Sequence, residues 1–109
     1  GELTLGENIA DNSGLAIAYK AYRISLGGKE APVIDGLTGD QRFFMGSSQG
    51  WRTKMRDDYT VRLIKSDPHS PNTIRSNAAV INQDACYSAF DVKPGDKMYL
   101  PPEKRVTIW

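Results

Sequence analysis

Apolar residues recur at helical spacing in the first quarter of the chain. Leu15, Tyr19, Tyr22 and Leu26 follow one another at intervals of four, three and four residues. This pattern is typical of an amphipathic helix. We expect the helix to run from about Leu5 to Leu26 and the glycine pair that follows to end it.

A second helical period joins four residues further along the chain: Phe44, Ser48, Trp51 and Met55. Thr38 precedes this period and stands three residues before Gln41, as in a capping box. The pattern therefore predicts a second helix that begins after Thr38 and continues to about Met55.

Two shorter helices follow from weaker patterns. The first begins at Asp57 or Asp58 and ends at Ser66, just before a proline, and the second begins near Asn82 or Asp84. Residues 72–80 show no period, and the proline pair at 101–102 predicts irregular backbone before a brief extended end. We expect a mainly α, single-unit segment with long loops that spans residues 1–109.

The charge of the chain argues against two classes of partner. It has 14 Lys and Arg residues and 13 Asp and Glu residues, a formal net charge of +1, which gives no electrostatic excess for nucleic acid or an anionic membrane. The longest apolar run, residues 15–19, is far shorter than the ~20 residues of a membrane span. Cys86 is the single cysteine, which excludes an internal disulfide. Because the chain starts with Gly1 rather than Met, we expect a piece of a longer protein.

Two carboxylates in the first predicted helix are candidate metal-site residues. Glu7 and Asp11 are four residues apart, so both side chains project from one helix face. This spacing suits a metal ligand and a neighbouring carboxylate. The alternative is a structural role. Thr4 and Glu7 match a capping box, and the negative charge of Asp11 would stabilise the positive end of the helix dipole. The spacing leaves both interpretations open.

His69 and Arg75 are candidates for chemistry in the second half of the chain. His69 is the only histidine; it can donate a proton near neutral pH but cannot complete a zinc site alone. Arg75 lies in a piece that we expect to be extended, and it can bind a carbonyl or carboxylate with its guanidinium group. The alternative for His69 is a turn residue between Pro68 and Pro71, and the alternative for Arg75 is an ordinary surface arginine. Trp51 lies in a stripe that is typical of a core rather than of a cofactor site.

Four sequence blocks carry a more specific signal. They are GENIADN at 6–12, DGLTGDQRFF at 35–44, DPHSP at 67–71 and KPGDKMY at 93–99. Together with the terminal Trp109, they resemble the closing segment of the neprilysin family of zinc metalloendopeptidases, in the same order. The resemblance implies that this chain is the C-terminal part of a larger, thermolysin-like zinc peptidase catalytic domain.

The resemblance also implies a role for each candidate residue. Glu7 would be the third zinc ligand of the parent enzyme, and Asp11 would orient one of two histidine ligands and raise its basicity. His69 would steady the oxyanion formed when zinc-activated water attacks a peptide carbonyl. Arg75 would bind a backbone carbonyl of the substrate, and Trp51 would be a second substrate-binding residue. The implied reaction is hydrolysis of oligopeptides without a covalent intermediate.

Two departures from the family pattern change what this chain can do. The H-E-x-x-H helix, with two zinc ligands and the general base, is missing from the sequence. We therefore expect the chain alone to be inactive and to need the remainder of the parent peptidase chain as its partner. Gly50 replaces a larger apolar residue near the substrate pocket, which leaves the side-chain preference open. The alternative is a non-catalytic binding or structural module from the same family. Family resemblance favours a location outside the cytoplasm.

Overall fold

Helices account for all the regular structure in residues 2–108, the part of the chain that the computed structural model describes. Five α-helices and two 3-10 turns occur there: α1 (Glu2–Ser25), α2 (Gly39–Gln49), α3 (Asp57–Ser66), α4 (Asn72–Ala78), α5 (Asp84–Phe90), and the turns Val80–Asn82 and Pro102–Lys104. The mainly α class with long loops is confirmed. Gly1 and Trp109, which belong to the predicted segment 1–109, lie outside the described residues.

The first helix contains the residues that the sequence assigned to its cap. Thr4 lies inside α1, where its hydroxyl oxygen accepts a hydrogen bond from the Asn8 side-chain amide at 3.4 Å. The capping box expected at Thr4 and Glu7 is therefore wrong, and so is the placing of Asp11 near a helix start. The expected end is confirmed, because Gly27 and the next glycine adopt positive φ angles after Ser25.

Two helix predictions fail where local signals compete. The second helix begins with the predicted Thr38–Gln41 capping box but ends at Gln49, not Met55, because Gly50 has poor helix propensity and the chain turns there. Residues 72–80 were expected to be irregular, yet α4 forms immediately after Pro71. Its seven residues are too short to display a clear period.

The proline pair at 101–102 is also compatible with regular structure. Pro102 is the first residue of a 3-10 turn that ends at Lys104. A proline is tolerated at such a position because its missing N–H would have no partner within the turn. The expected irregular backbone is therefore wrong at these three residues, whereas the third and fourth predicted helices are confirmed as α3 and α5.

Four aromatic rings join the second half of α1 to α2. Tyr19, Tyr22, Phe43 and Phe44, called the aromatic cluster below, have neighbouring ring centroids 5.2–6.2 Å apart. Phe44 is only 2% exposed. A Cβ atom at Gly39 would collide with the Tyr22 hydroxyl, so the close approach of these helices requires glycine there.

The outer faces of two helices keep apolar side chains in solvent. The exposed residues on α1 and α3 are Leu3, Leu5, Ile9, Ile17, Ile24, Tyr59, Val61 and Ile64. The radius of gyration is 15.3 Å, whereas a compact domain of this length would have about 13 Å. Within residues 2–108, no helix has the length and apolar character needed to cross a membrane.

Candidate functional site

His69 lies between two carboxylates contributed by different parts of the chain. Its ring Nε2 is 3.2 Å from Glu7 Oε2 on α1. Its ring Nδ1 and its backbone N–H both bond to Asp67 Oδ1 at 2.8 Å. Because an ionised carboxylate only accepts hydrogen bonds, Nδ1 carries a proton in this arrangement. The ring orientation is thus fixed by Asp67 and directed towards Glu7.

Arg75 is held in place by a carboxylate and an aromatic ring. Its Nε and Nη2 donate to Asp11 Oδ2 and Oδ1, each at 2.7 Å, in a bidentate ion pair. Its guanidinium carbon lies 3.9 Å from the centroid of the Trp51 ring. The Arg75 and Asp11 side chains are 13% and 21% exposed. Planar guanidinium suits both contacts, which leave little freedom to this side chain.

Local sequence explains why these side chains meet. Glu7 and Asp11 are one turn apart on α1, so they present two carboxylates to the same neighbour. Pro71 directly precedes α4, and the helix brings Arg75 opposite Asp11. Sequence analysis placed Arg75 in an extended piece, which is wrong, because it lies in the last turn of α4.

The five residues Glu7, Asp11, Asp67, His69 and Arg75 form what we call the polar cluster. Within it, the pKa of Asp67 is lowered, first by the His69 backbone N–H and then by the His69 ring. The pKa of Arg75 is raised, chiefly by its hydrogen bonds to Asp11. Both shifts favour the charged forms of these two residues.

A groove runs alongside the polar cluster between α1, α2 and α4. Its volume is about 400 Å³, and Asp11, Trp51 and Arg75 line it together with small residues that include Gly14 and Gly50. A smaller cavity of about 170 Å³ adjoins His69. Small residues therefore line this groove beside the charged groups.

Glu7 is the residue in this cluster whose side chain fits a metal ligand. Its carboxylate is 42% exposed, and carboxylate oxygen is an accepted zinc ligand. Among residues 2–108, no three His, Cys, Asp or Glu side chains form a group that could hold a metal ion. A partly exposed carboxylate such as that of Glu7 can supply one ligand to a metal site.

The structure also brings in one residue to which the sequence analysis gave no role. Asp67 was noted only as part of a helix end and of the DPHSP block, yet it fixes the His69 ring. An available signal was the spacing of Asp67 and His69, since an aspartate commonly binds the backbone two residues later. The five candidates, Glu7, Asp11, Trp51, His69 and Arg75, lie in one region.

Comparison with known proteins identifies the group to which this arrangement is related. The model of Peptidase family M13 matches residues 1–106. Neprilysin-1 of Caenorhabditis elegans is 42% identical over 114 residues, covering 100% of this chain and 15% of its own length. Human neprilysin is 40% identical over 110 residues, covering 97% of this chain and 14% of its own length.

Solved structures give the same relationship. Mycobacterium tuberculosis zinc metalloprotease Zmp1 in its open state superimposes with a TM-score of 0.96 at 54% identity, over 100% of this chain and 17% of that one. The inhibitor complex of Zmp1 gives a TM-score of 0.95 at 54% identity, over 98% and 16%. This chain thus spans about one-sixth of the length of the solved protein.

Proposed function

Because this chain belongs to Peptidase family M13, we propose that it supplies part of the active site of a zinc metalloendopeptidase that cleaves oligopeptides. The observation that carries the proposal is the polar cluster, in which a partly exposed Glu7 faces a histidine held by Asp67. The groove beside it offers space for a peptide. This combination suits hydrolysis better than a purely structural role.

Glu7 is proposed as one of three protein ligands of the zinc ion. The other two, both histidines, would come from the remainder of the parent chain, because His69 is the only histidine here. A bound zinc ion supplies activation of water and polarisation of the peptide carbonyl. Asp11 is proposed to orient one of these histidines. Its carboxylate has free lone pairs for this even while both oxygens bind Arg75.

His69 is proposed to stabilise the negative charge that develops on the peptide oxygen. Asp67 bonds Nδ1 and leaves Nε2 directed towards the region of Glu7, where Nε2 donates a hydrogen bond when both ring nitrogens carry a proton. A donor held in advance by such a bond costs little reorganisation when charge develops. His69 would therefore act on the transition state rather than on substrate binding.

Arg75 is proposed to bind a backbone carbonyl of the substrate in the groove. Its two bonds to Asp11 use two of the five guanidinium N–H groups, which leaves donors for a peptide. Trp51 supports the guanidinium from its ring face and is proposed to contact the substrate. These contacts would contribute to binding, and so mainly to KM.

The remainder of the parent chain completes the proposal. It would cover the exposed apolar faces of α1 and α3 and supply the missing ligands and general base, so the isolated chain would be inactive. A location outside the cytoplasm remains part of the proposal. The alternative, a non-catalytic module, predicts that a parent protein carrying this segment shows no zinc-dependent hydrolysis of peptides.

The test compares two variants in the full-length parent protein. His69→Phe removes a donor to the transition state, so we expect kcat to fall by about 10²–10³-fold with little change in KM. Arg75→Met removes a charged hydrogen-bonding group, so we expect KM to rise. The expected loss of binding free energy is about 2–5 kcal/mol. Steady-state kinetics on a fluorogenic oligopeptide, with zinc content measured in parallel, separates the two effects.

Wild-type kinetics in both variants, with zinc still bound, would contradict the proposed roles. Arg42→Met serves as the matched control for Arg75→Met, since Arg42 lies on α2 and its guanidinium binds the Leu37 carbonyl, within the same segment. We expect this control to leave both kinetic constants unchanged.

A further inference from the structure

A buried hydroxyl links residues 67–71, called the His69 loop below, to α1. Ser70 is 7% exposed, and its Oγ donates to Asn8 Oδ1 at 2.8 Å. Ser70 is next to His69 in the chain, and Asn8 is next to Glu7. The Asn8–Ser70 hydrogen bond is therefore one residue away from the Glu7–His69 contact, both along α1 and along the loop.

The Glu7–His69 contact itself is poorly suited to fixing the separation of the two segments. The Glu7 and His69 side chains are 42% and 41% exposed, and even a fully charged pair with this exposure contributes little to structure. The Ser70 hydroxyl is sheltered, so its bond would be costly to leave unmade. The neutral bond is thus the firmer of the two links.

The Ser70–Asn8 hydrogen bond also differs from the Glu7–His69 contact because it does not depend on the charge of either partner. Neither Asn8 nor Ser70 changes charge near neutral pH. Their bond can therefore persist whether Glu7 binds His69, as here, or a metal ion. Asp67 sets the orientation of the His69 ring, but Asp67 and His69 belong to the same loop and cannot fix that loop relative to α1.

We propose that Ser70 and Asn8 are positioning residues, whose hydrogen bond sets the distance between His69 and Glu7. The proposal rests on the proposed function, in which Glu7 is a zinc ligand and His69 acts on the transition state. Loosening this bond would displace His69 from the reacting group while leaving the helices intact. Small displacements of positioned groups reduce turnover more than binding.

The test is a double-mutant cycle in the full-length parent protein. Ser70→Ala and Asn8→Ala should each lower kcat by about 3- to 10-fold, the equivalent of one hydrogen bond, with KM and zinc content unchanged. The double variant should lose no more than either single variant, because the same bond is removed. Asn8 is an exposed helix position that accepts alanine readily, so this variant tests the proposal even if Ser70→Ala folds poorly.

The control and a second readout separate positioning from a general effect. Ser25→Ala removes a hydroxyl that donates to the Tyr22 carbonyl within α1 and should leave kcat unchanged. In zinc-free parent protein, hydrogen–deuterium exchange of the His69 backbone N–H should be faster in Ser70→Ala than in wild type. This measurement does not depend on activity.

Two results would overturn the positioning role. One is wild-type kcat and wild-type exchange in Ser70→Ala; the other is additive losses in the double variant. Failure of the proposed function would look different, because His69→Phe would then keep full activity while exchange of the His69 N–H still responded to Ser70→Ala.

Discussion

The second half of α1 meets α2 through aromatic rings, whereas its first half meets residues 67–75 through charged and polar groups. In the aromatic cluster, Phe44 is 2% exposed and stacks on Tyr19 with ring centroids 5.2 Å apart. In the polar cluster, Glu7 and His69 remain about two-fifths exposed. One 24-residue helix thus has two differently built ends.

The difference separates what maintains the fold from what remains open to a ligand. Burial and packing of aromatic surface stabilise the helix pair. The polar cluster instead satisfies its charges pairwise, as in the Asp11–Arg75 ion pair, and keeps its outer atoms accessible. We therefore expect substitutions in the aromatic cluster to affect stability and those in the polar cluster to affect activity.

The largest effect is expected from Phe44→Ala. Removing a fully buried phenyl ring loses its transfer free energy and leaves a cavity, at a cost of about 3–5 kcal/mol. Thermal or denaturant unfolding of the parent protein should show this loss. The activity of the fraction that stays folded should match wild type. A large loss of kcat in folded Phe44→Ala protein would contradict the separation of the two ends.

Asp11→Asn probes the opposite end of the helix. The change keeps the shape but removes the charge that pairs with Arg75, and we expect zinc affinity or turnover to fall by about 10–100-fold. Zinc titration and kinetics of the parent protein measure both. Asp35→Asn is the matched control: Asp35 is exposed, and asparagine tolerates its positive φ angle. Equal behaviour of the two variants would contradict a role for Asp11.

A smaller effect is expected at high pH from Tyr19. Burial, followed by its hydrogen bond to Asp40, raises the pKa of Tyr19 to about 12. The unfolded chain loses this proton near pH 10, so the folded state retains it longer and stability falls as pH rises from 10 to 12. Tyr19→Phe should make this decline shallower and cost about 1 kcal/mol at pH 7. The free energy of unfolding of wild type and of Tyr19→Phe is measured at pH 9 and at pH 11. An identical decline of stability in the two proteins would contradict the raised pKa of Tyr19.

Much of the helical architecture could be predicted from the apolar periods. The long period that includes Tyr19 and Tyr22 marks α1, and the Thr38 capping box marks the start of α2. The end of α2 could not be found in this way, because Trp51 continues the period in sequence while its ring in fact lies against Arg75. Periodicity reports spacing, not the tertiary contact that each residue makes.

The candidate site depended on resemblance more than on pattern. Spacing alone left two interpretations of Glu7, a capping residue or a metal ligand. The position of Thr4 inside α1 excludes the capping interpretation. Pairings such as Ser70 with Asn8 join residues 62 positions apart. Such contacts depend on how α1 and the His69 loop pack, which no local sequence rule specifies.

The most direct test of the central claim, that this segment supplies a zinc ligand, is the zinc content of Glu7→Gln in the purified parent protein. Glu2→Gln is its matched control, since Glu2 is an exposed acidic residue on the same helix. After dialysis, we expect wild type and Glu2→Gln to hold one zinc ion per molecule and Glu7→Gln to hold far less, with no measurable peptidase activity. Full zinc occupancy and a wild-type rate in Glu7→Gln would contradict the claim.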